Sequence, residues 1–166
     1  MALFSSGVSH ATLRNASVLS GNQPGHFAIY FAGPRGATAA NPVFSAGNTL
    51  DNVVVGDQIC DDGVSWSFQT DGTVNNVRET GSRLALYIDN GTTVNNYQYT
   101  PGPCRPVDNG YWITPPSCNI TINGFASSER QGKSVLILHR AVNVPISQSK
   151  EKRLLRGHSR LVMSQI

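Results

Sequence analysis

Apolar residues in this chain come in short runs with a period of two, and most runs are closed by a turn dipeptide. The stretch 64–69 (VSWSFQ) puts Val64, Trp66 and Phe68 on one side, and 83–88 (RLALYI) does the same with Leu84, Leu86 and Ile88. Further strand candidates are 26–31, 52–56, 111–113, 119–122 and 134–144. Around them stand Gly33-Pro34, Asn41-Pro42, Asp62-Gly63, Asp71-Gly72, Asn90-Gly91, Asn109-Gly110 and Asn123-Gly124. Period-two alternation marks a strand with one buried face, and Gly, Pro, Asn and Asp supply the backbone angles of tight turns. No stretch before residue 146 holds a 3.6-residue apolar period. The prediction is an all-β chain, an antiparallel β-sandwich of the jelly-roll type, since such folds are built from short strands with frequent turns.

Composition points the same way. A chain of 166 residues suits one domain, and 39% apolar residues can fill its core. Charged residues make up only 14%, so the surface must be built from Asn, Thr, Ser, Gln and Gly. The 16 Gly and 9 Pro favour strands and turns over helices. No apolar run approaches the ~20 residues that span a bilayer. The first residues lack the basic leader and long apolar stretch of a secretory signal.

One tetrapeptide occurs twice: Thr-Val-Asn-Asn at 73–76 and again at 93–96. With Asp71-Gly72 and Asn90-Gly91 as two-residue hairpin turns, Phe68 falls opposite Asn75 and Trp66 opposite Val77. In the second hairpin Leu86 falls opposite Asn95 and Leu84 opposite Tyr97. Two copies are too few for a solenoid, so the doubled segment reads as two successive hairpins of a meander.

No motif identifies a chemistry. Asp57, Asp61, Asp62 and Asp71 lack the spacing of a calcium loop and read as turn-forming carboxylates. His10, His26, His139 and His158 lie in no zinc pattern, and no nucleophile elbow or phosphate loop is present. No cofactor is called for, and the chain is read as a non-enzyme. Cys104 and Cys118 bracket a loop and are close enough in sequence to pair, leaving Cys60 over; three reduced thiols is the simpler reading. Tyr97, Tyr99, Tyr111 and Trp112 form an aromatic group that fits either a core or a platform for stacking on a sugar.

The last twenty residues differ from the body. Lys150, Lys152, Arg153, Arg156 and Arg160 face a single acid there, Glu151, while the body is nearly neutral. Leu154, Leu155, Leu161 and Val162 follow a helical spacing. Residues 1–146 therefore read as the β domain and 147–166 as a basic C-terminal arm. Three readings of that arm are open: a solvated end, an arm docking on a neighbouring subunit through its apolar residues, and a weak contact with nucleic acid or another polyanion.

The stretch "WSFQTDGTVNN", the Asn-Gly and Asp-Gly turns, the uncharged Asn/Thr-rich surface and the segregated tail resemble small viral jelly-roll capsid, decoration or spike proteins. The resemblance implies a virion structural protein that forms a homo-oligomer and works through its subunit interfaces. A lectin-like carbohydrate-binding module is the alternative.

Overall fold

The computed structural model describes residues 3–19, 25–56, 59–100, 102, 111–114, 117–127, 136–138, 146–147 and 150–151. The chain is all-β, but every strand pair is parallel, and the strands coil into a β-solenoid of about four turns. This overturns the antiparallel sandwich and the jelly roll.

Numbered along the chain, β1 (Leu3–Ser6), β3 (Gly25–Ala32), β6 (Ile59–Ser67), β9 (Arg83–Tyr87), β11 (Tyr111–Thr114) and β13 (Leu136–Leu138) stand side by side as sheet A. Sheet B runs β2 (Thr12–Val18), β5 (Thr49–Val55), β8 (Thr73–Thr80), β10 (Thr93–Thr100), β12 (Thr121–Ser127) and β14 (Ile146–Ser147), with β15 (Lys150–Glu151) also on β12. The short β4 (Ser45–Ala46) and β7 (Gln69–Thr70) pair on a third side, which the bridges Thr70–Asn90 and Asn90–Cys118 extend. The chain passes from sheet A through this side to sheet B and then climbs to the next rung.

Single left-handed residues make the corners. Asp71 (φ 52°) and Gly91 (φ 85°) are left-handed, while Gly72 and Asn90 are not. A type I′ hairpin needs two successive positive φ angles to reverse the chain. One alone bends it, and the next strand continues into the same rung. The doubled segment is therefore not a pair of hairpins. Asn75 lies beside Asn95 and Asp51, in register on adjacent parallel strands. Phe68, at φ 53°, is itself a corner between β6 and β7, and Trp66 pairs with Leu86.

Seen in register, the repeat has more than two copies. Thr12, Thr49, Thr73, Thr93 and Thr121 occupy one column. Leu13, Leu50, Val74, Val94 and Ile122 follow them inward, with Leu50 to Ile122 at most 1% exposed. Three places after each Thr stands another left-handed residue: Asn15, Asn52, Asn76, Asn96 and Gly124. Asn and Gly are the residues that tolerate this conformation. The bend lets a second apolar residue follow after only two outward positions, which places Val53, Val77 and Tyr97 in the core.

The core runs between the two large sheets. Ile29, Val64 and Leu84 come from sheet A, with Trp66 and Leu86 beside them; Val74, Val94 and Ile122 come from sheet B. Phe31 and Trp66 pack with ring centres 4.7 Å apart. Burying such side chains is worth roughly 1.5–3 kcal/mol each, and it is what holds the rungs together.

Candidate functional site

Three regions of the solenoid carry more chemistry than packing requires. The first is a set of buried carboxyl groups. Asp62 is 1% exposed and accepts from Arg83 Nε (2.6 Å) and from Tyr87 Oη (2.6 Å). Beside it, Glu79 takes the core position that Val55 and Tyr99 fill in the neighbouring rungs, and Ser82 Oγ donates to it at 2.9 Å. Burial pushes the Glu79 carboxyl up to about 8, helped by the nearby Asp62 charge and opposed by the Ser82 hydrogen bond and by Arg83. The space for this carboxyl exists because residue 63 is glycine: a Cβ there would fall on Glu79 Oε2 and Ser82 Oγ. At the opposite corner, Asp89 accepts from Thr92 N (3.2 Å) and Thr92 Oγ1 (2.8 Å), and burial pushes it up to about 7. Thr92 Oγ1 also accepts from Trp66 Nε1 (3.1 Å). These groups lie inside the coil and hydrogen-bond to its own residues, so they read as structural.

The second region is the outer face of sheet B. Asn95 Nδ2 donates to Asn75 Oδ1 (2.7 Å), Asn123 Nδ2 to Asn95 Oδ1 (3.0 Å), and Ser147 Oγ to Asn123 Oδ1 (2.6 Å). A second ladder links the left-handed residues, from Asn96 to Asn76 (3.2 Å) and from Asn52 to Asn15 (2.8 Å). Asn76 crosses to Asp51 Oδ1 (3.0 Å), and Arg14 Nε lies 3.3 Å from Asp51 Oδ2. The five column threonines beside the first ladder make no side-chain hydrogen bond among the described residues, and Thr49, Thr73, Thr93 and Thr121 are half-buried.

The third region is the first rung. Leu3, Leu13, Ala16 and Val18 pack on the core but stay partly open, whereas their counterparts in the inner rungs are closed. Phe4, Val8 and Leu19 are exposed, at 54%, 42% and 64%. Phe4 stands edge-on to Tyr30 (5.4 Å), which in turn meets Phe27 (5.5 Å).

The residues singled out from sequence are scattered by the fold. Tyr97 and Tyr99 are core side chains, 0% and 3% exposed, with Leu84 N donating to Tyr97 Oη (3.1 Å). They are therefore closed to a sugar. Tyr111 and Trp112 lie in β11, in register with Leu84 and Ala85 on sheet A, whereas Tyr97 and Tyr99 lie in β10 on sheet B. Lys150 lies in β15. Lys152, Arg153, Leu154, Leu155, Arg156, Arg160, Leu161 and Val162 fall outside the described residues, as does Cys104. The Cys118 thiol is free; its Sγ donates to Asn90 Oδ1 at 3.3 Å. No metal-holding group of side chains occurs among the described residues, and no described helix is long and apolar enough to cross a membrane.

The Thr and Asn columns were missed from the sequence because the rungs differ in length. The signal that finds them is Thr, an aliphatic residue, a polar or charged residue, then Asn or Gly, read at 12, 49, 73, 93 and 121.

Comparisons with protein-family models, with curated proteins and with solved structures find no match.

Proposed function

We propose that this protein is a non-enzymatic structural module that works through its surfaces and joins a second copy of itself at the open first rung. The virion setting rested on a jelly-roll likeness and does not carry over to a solenoid. The mode of action, through subunit interfaces, does.

The open first rung carries this reading. A solenoid needs polar caps at its ends, because each rung buries only one side of its neighbours. Among the described residues, the first rung keeps apolar residues half-open, and neither β1 nor β2 contains the proline or lysine that commonly blunts an edge strand. The only cation in β2, Arg14, is paired with Asp51. Two copies related by a two-fold axis would pair β2 edge to edge and close both cores.

Light scattering on the eluting protein tests this. The expected result is a dimer, reduced to monomer by Leu13→Lys at unchanged circular dichroism. A wild-type monomer at all accessible concentrations overturns the reading. A sugar that perturbs Phe4→Ser and wild type differently would favour the carbohydrate-binding alternative, through Phe4, Tyr30 and Phe27.

A further inference from the structure

We propose that the outer face of sheet B, made of the Thr column and the Asn column beside it, binds ice. The face lies between two bends. Residues at His10, Gly47, Asp71, Gly91 and Asn119 are left-handed on one side of it, and Asn15, Asn52, Asn76, Asn96 and Gly124 on the other. Between them each rung contributes one straight tripeptide: Thr12-Leu13-Arg14, Thr49-Leu50-Asp51, Thr73-Val74-Asn75, Thr93-Val94-Asn95 and Thr121-Ile122-Asn123. The middle residue points inward, so the outer two form a two-column lattice. Its spacing is about 4.7–4.9 Å between strands and roughly 6.6 Å along them. These repeats are of the same order as the oxygen repeats of hexagonal ice.

The chemistry favours ordered water over other ligands. The outer column is Thr in every one of these rungs, whereas the column beyond the bend varies through Ser17, Val54, Arg78, Gln98 and Ala126. A threonine offers a methyl and a hydroxyl from a β-branched side chain with few rotamers. These hydroxyls make no bond to the described protein, while the Asn amides are held sideways by one another. The surface is therefore both unsatisfied and rigid, so ordering costs little on binding. Each hydroxyl alone is weak, and repetition supplies the avidity. A glycan site would be expected to place aromatic rings or charges here. Among the described residues the face has no ring, and its only charges there are the Arg14–Asp51 pair at one end, 3.3 Å apart.

The test is the gap between melting and ice growth in a nanolitre osmometer, together with uptake of labelled protein into a growing ice shell. Wild type is expected to open a gap, shape the crystal and enter the ice. Thr73→Tyr combined with Thr93→Tyr should abolish all three. Gln98→Tyr adds the same bulk beyond the bend and should leave them unchanged. Melting temperatures of the variants separate loss of the face from loss of the fold, and Thr93→Ser, which keeps the hydroxyl and removes the methyl, should lower the gap in a chain that folds. Exclusion of wild type from ice with no gap overturns the proposal. Full activity of the folded double variant overturns it too, as does retention on crystalline cellulose without any effect on ice.

Discussion

Glu79 sits where its neighbours in the column are Val55 and Tyr99. A carboxyl in an apolar column holds its proton, and this one holds it up to about 8 against 4.5 for a free side chain. The native state then binds the proton more tightly than the unfolded chain does. Stability should fall as pH rises from about 4.5 to about 8 and level off above, with Asp89 adding the same trend between 3.8 and about 7. Glu79→Gln keeps the shape and an acceptor for Ser82 and has no proton to lose. It is expected to raise the melting temperature at pH 8, to change it little at pH 5, and to flatten the pH dependence of thermal unfolding. Trp66 offers a second residue-scale test. Trp66→Phe removes the donor to Thr92 Oγ1 and leaves a gap beside Gly72, whose absent Cβ would otherwise lie 2.9 Å from the indole. A loss of about 2–4 kcal/mol in urea unfolding is expected.

At the scale of the element, the left-handed position in each sheet-B strand decides which residues face the core. Asn96 holds φ 53° and donates to Asn76, and the next rung puts Gly124 at the same place with φ 71°. Asn96→Gly should therefore cost little, because the backbone angle survives and only an exposed hydrogen bond is lost. Asn96→Val should cost about 1–2 kcal/mol for the backbone conformation alone. The difference in urea midpoint between the two variants measures the strain separately from the ladder. In the half-buried ladder, Asn95 both donates to Asn75 and accepts from Asn123. Asn95→Ala breaks both contacts and is expected to destabilise by roughly 1–3 kcal/mol, read from the same urea curves.

For the whole molecule, stability in a solenoid is a sum over rungs and the interfaces between them. The rungs of β6 to β8 and of β9 and β10 are covered on both sides and hold Trp66, Leu84, Leu86 and Tyr97 at 0% exposure. Among the described residues, the first rung is covered on one side only. Amide exchange should be slowest in 64–99 and fastest in 3–18, with protection of β1 and β2 increasing at protein concentrations where the dimer forms. Concentration-independent exchange in β2 would count against the open rung as an interface.

Trp66, Leu84, Leu86 and the alternation around them identify strands from sequence alone, and β3, β5, β6, β9, β11 and β12 overlap stretches legible that way. The all-β class of the described residues was legible too. Strand direction was not. Alternation is the same in parallel and antiparallel sheets, and Asp71-Gly72 fits a hairpin as well as a corner. What separates the two is whether one residue or two adopt positive φ, which only the folded backbone decides. The same holds for the surface. Asn75 and Asn95 are visible as a repeat in the sequence, but they become a ladder only when the coil brings them to adjacent strands in register. For Tyr97 and Tyr99 the sequence left core and platform both open, and the bend at Asn96 decides for the core because it resets which side of the strand faces inward. Composition and local pattern thus determined a β chain with a sparsely charged surface. Tertiary structure decided the parallel coil, since rungs of unequal length place their partners at separations that no local pattern encodes.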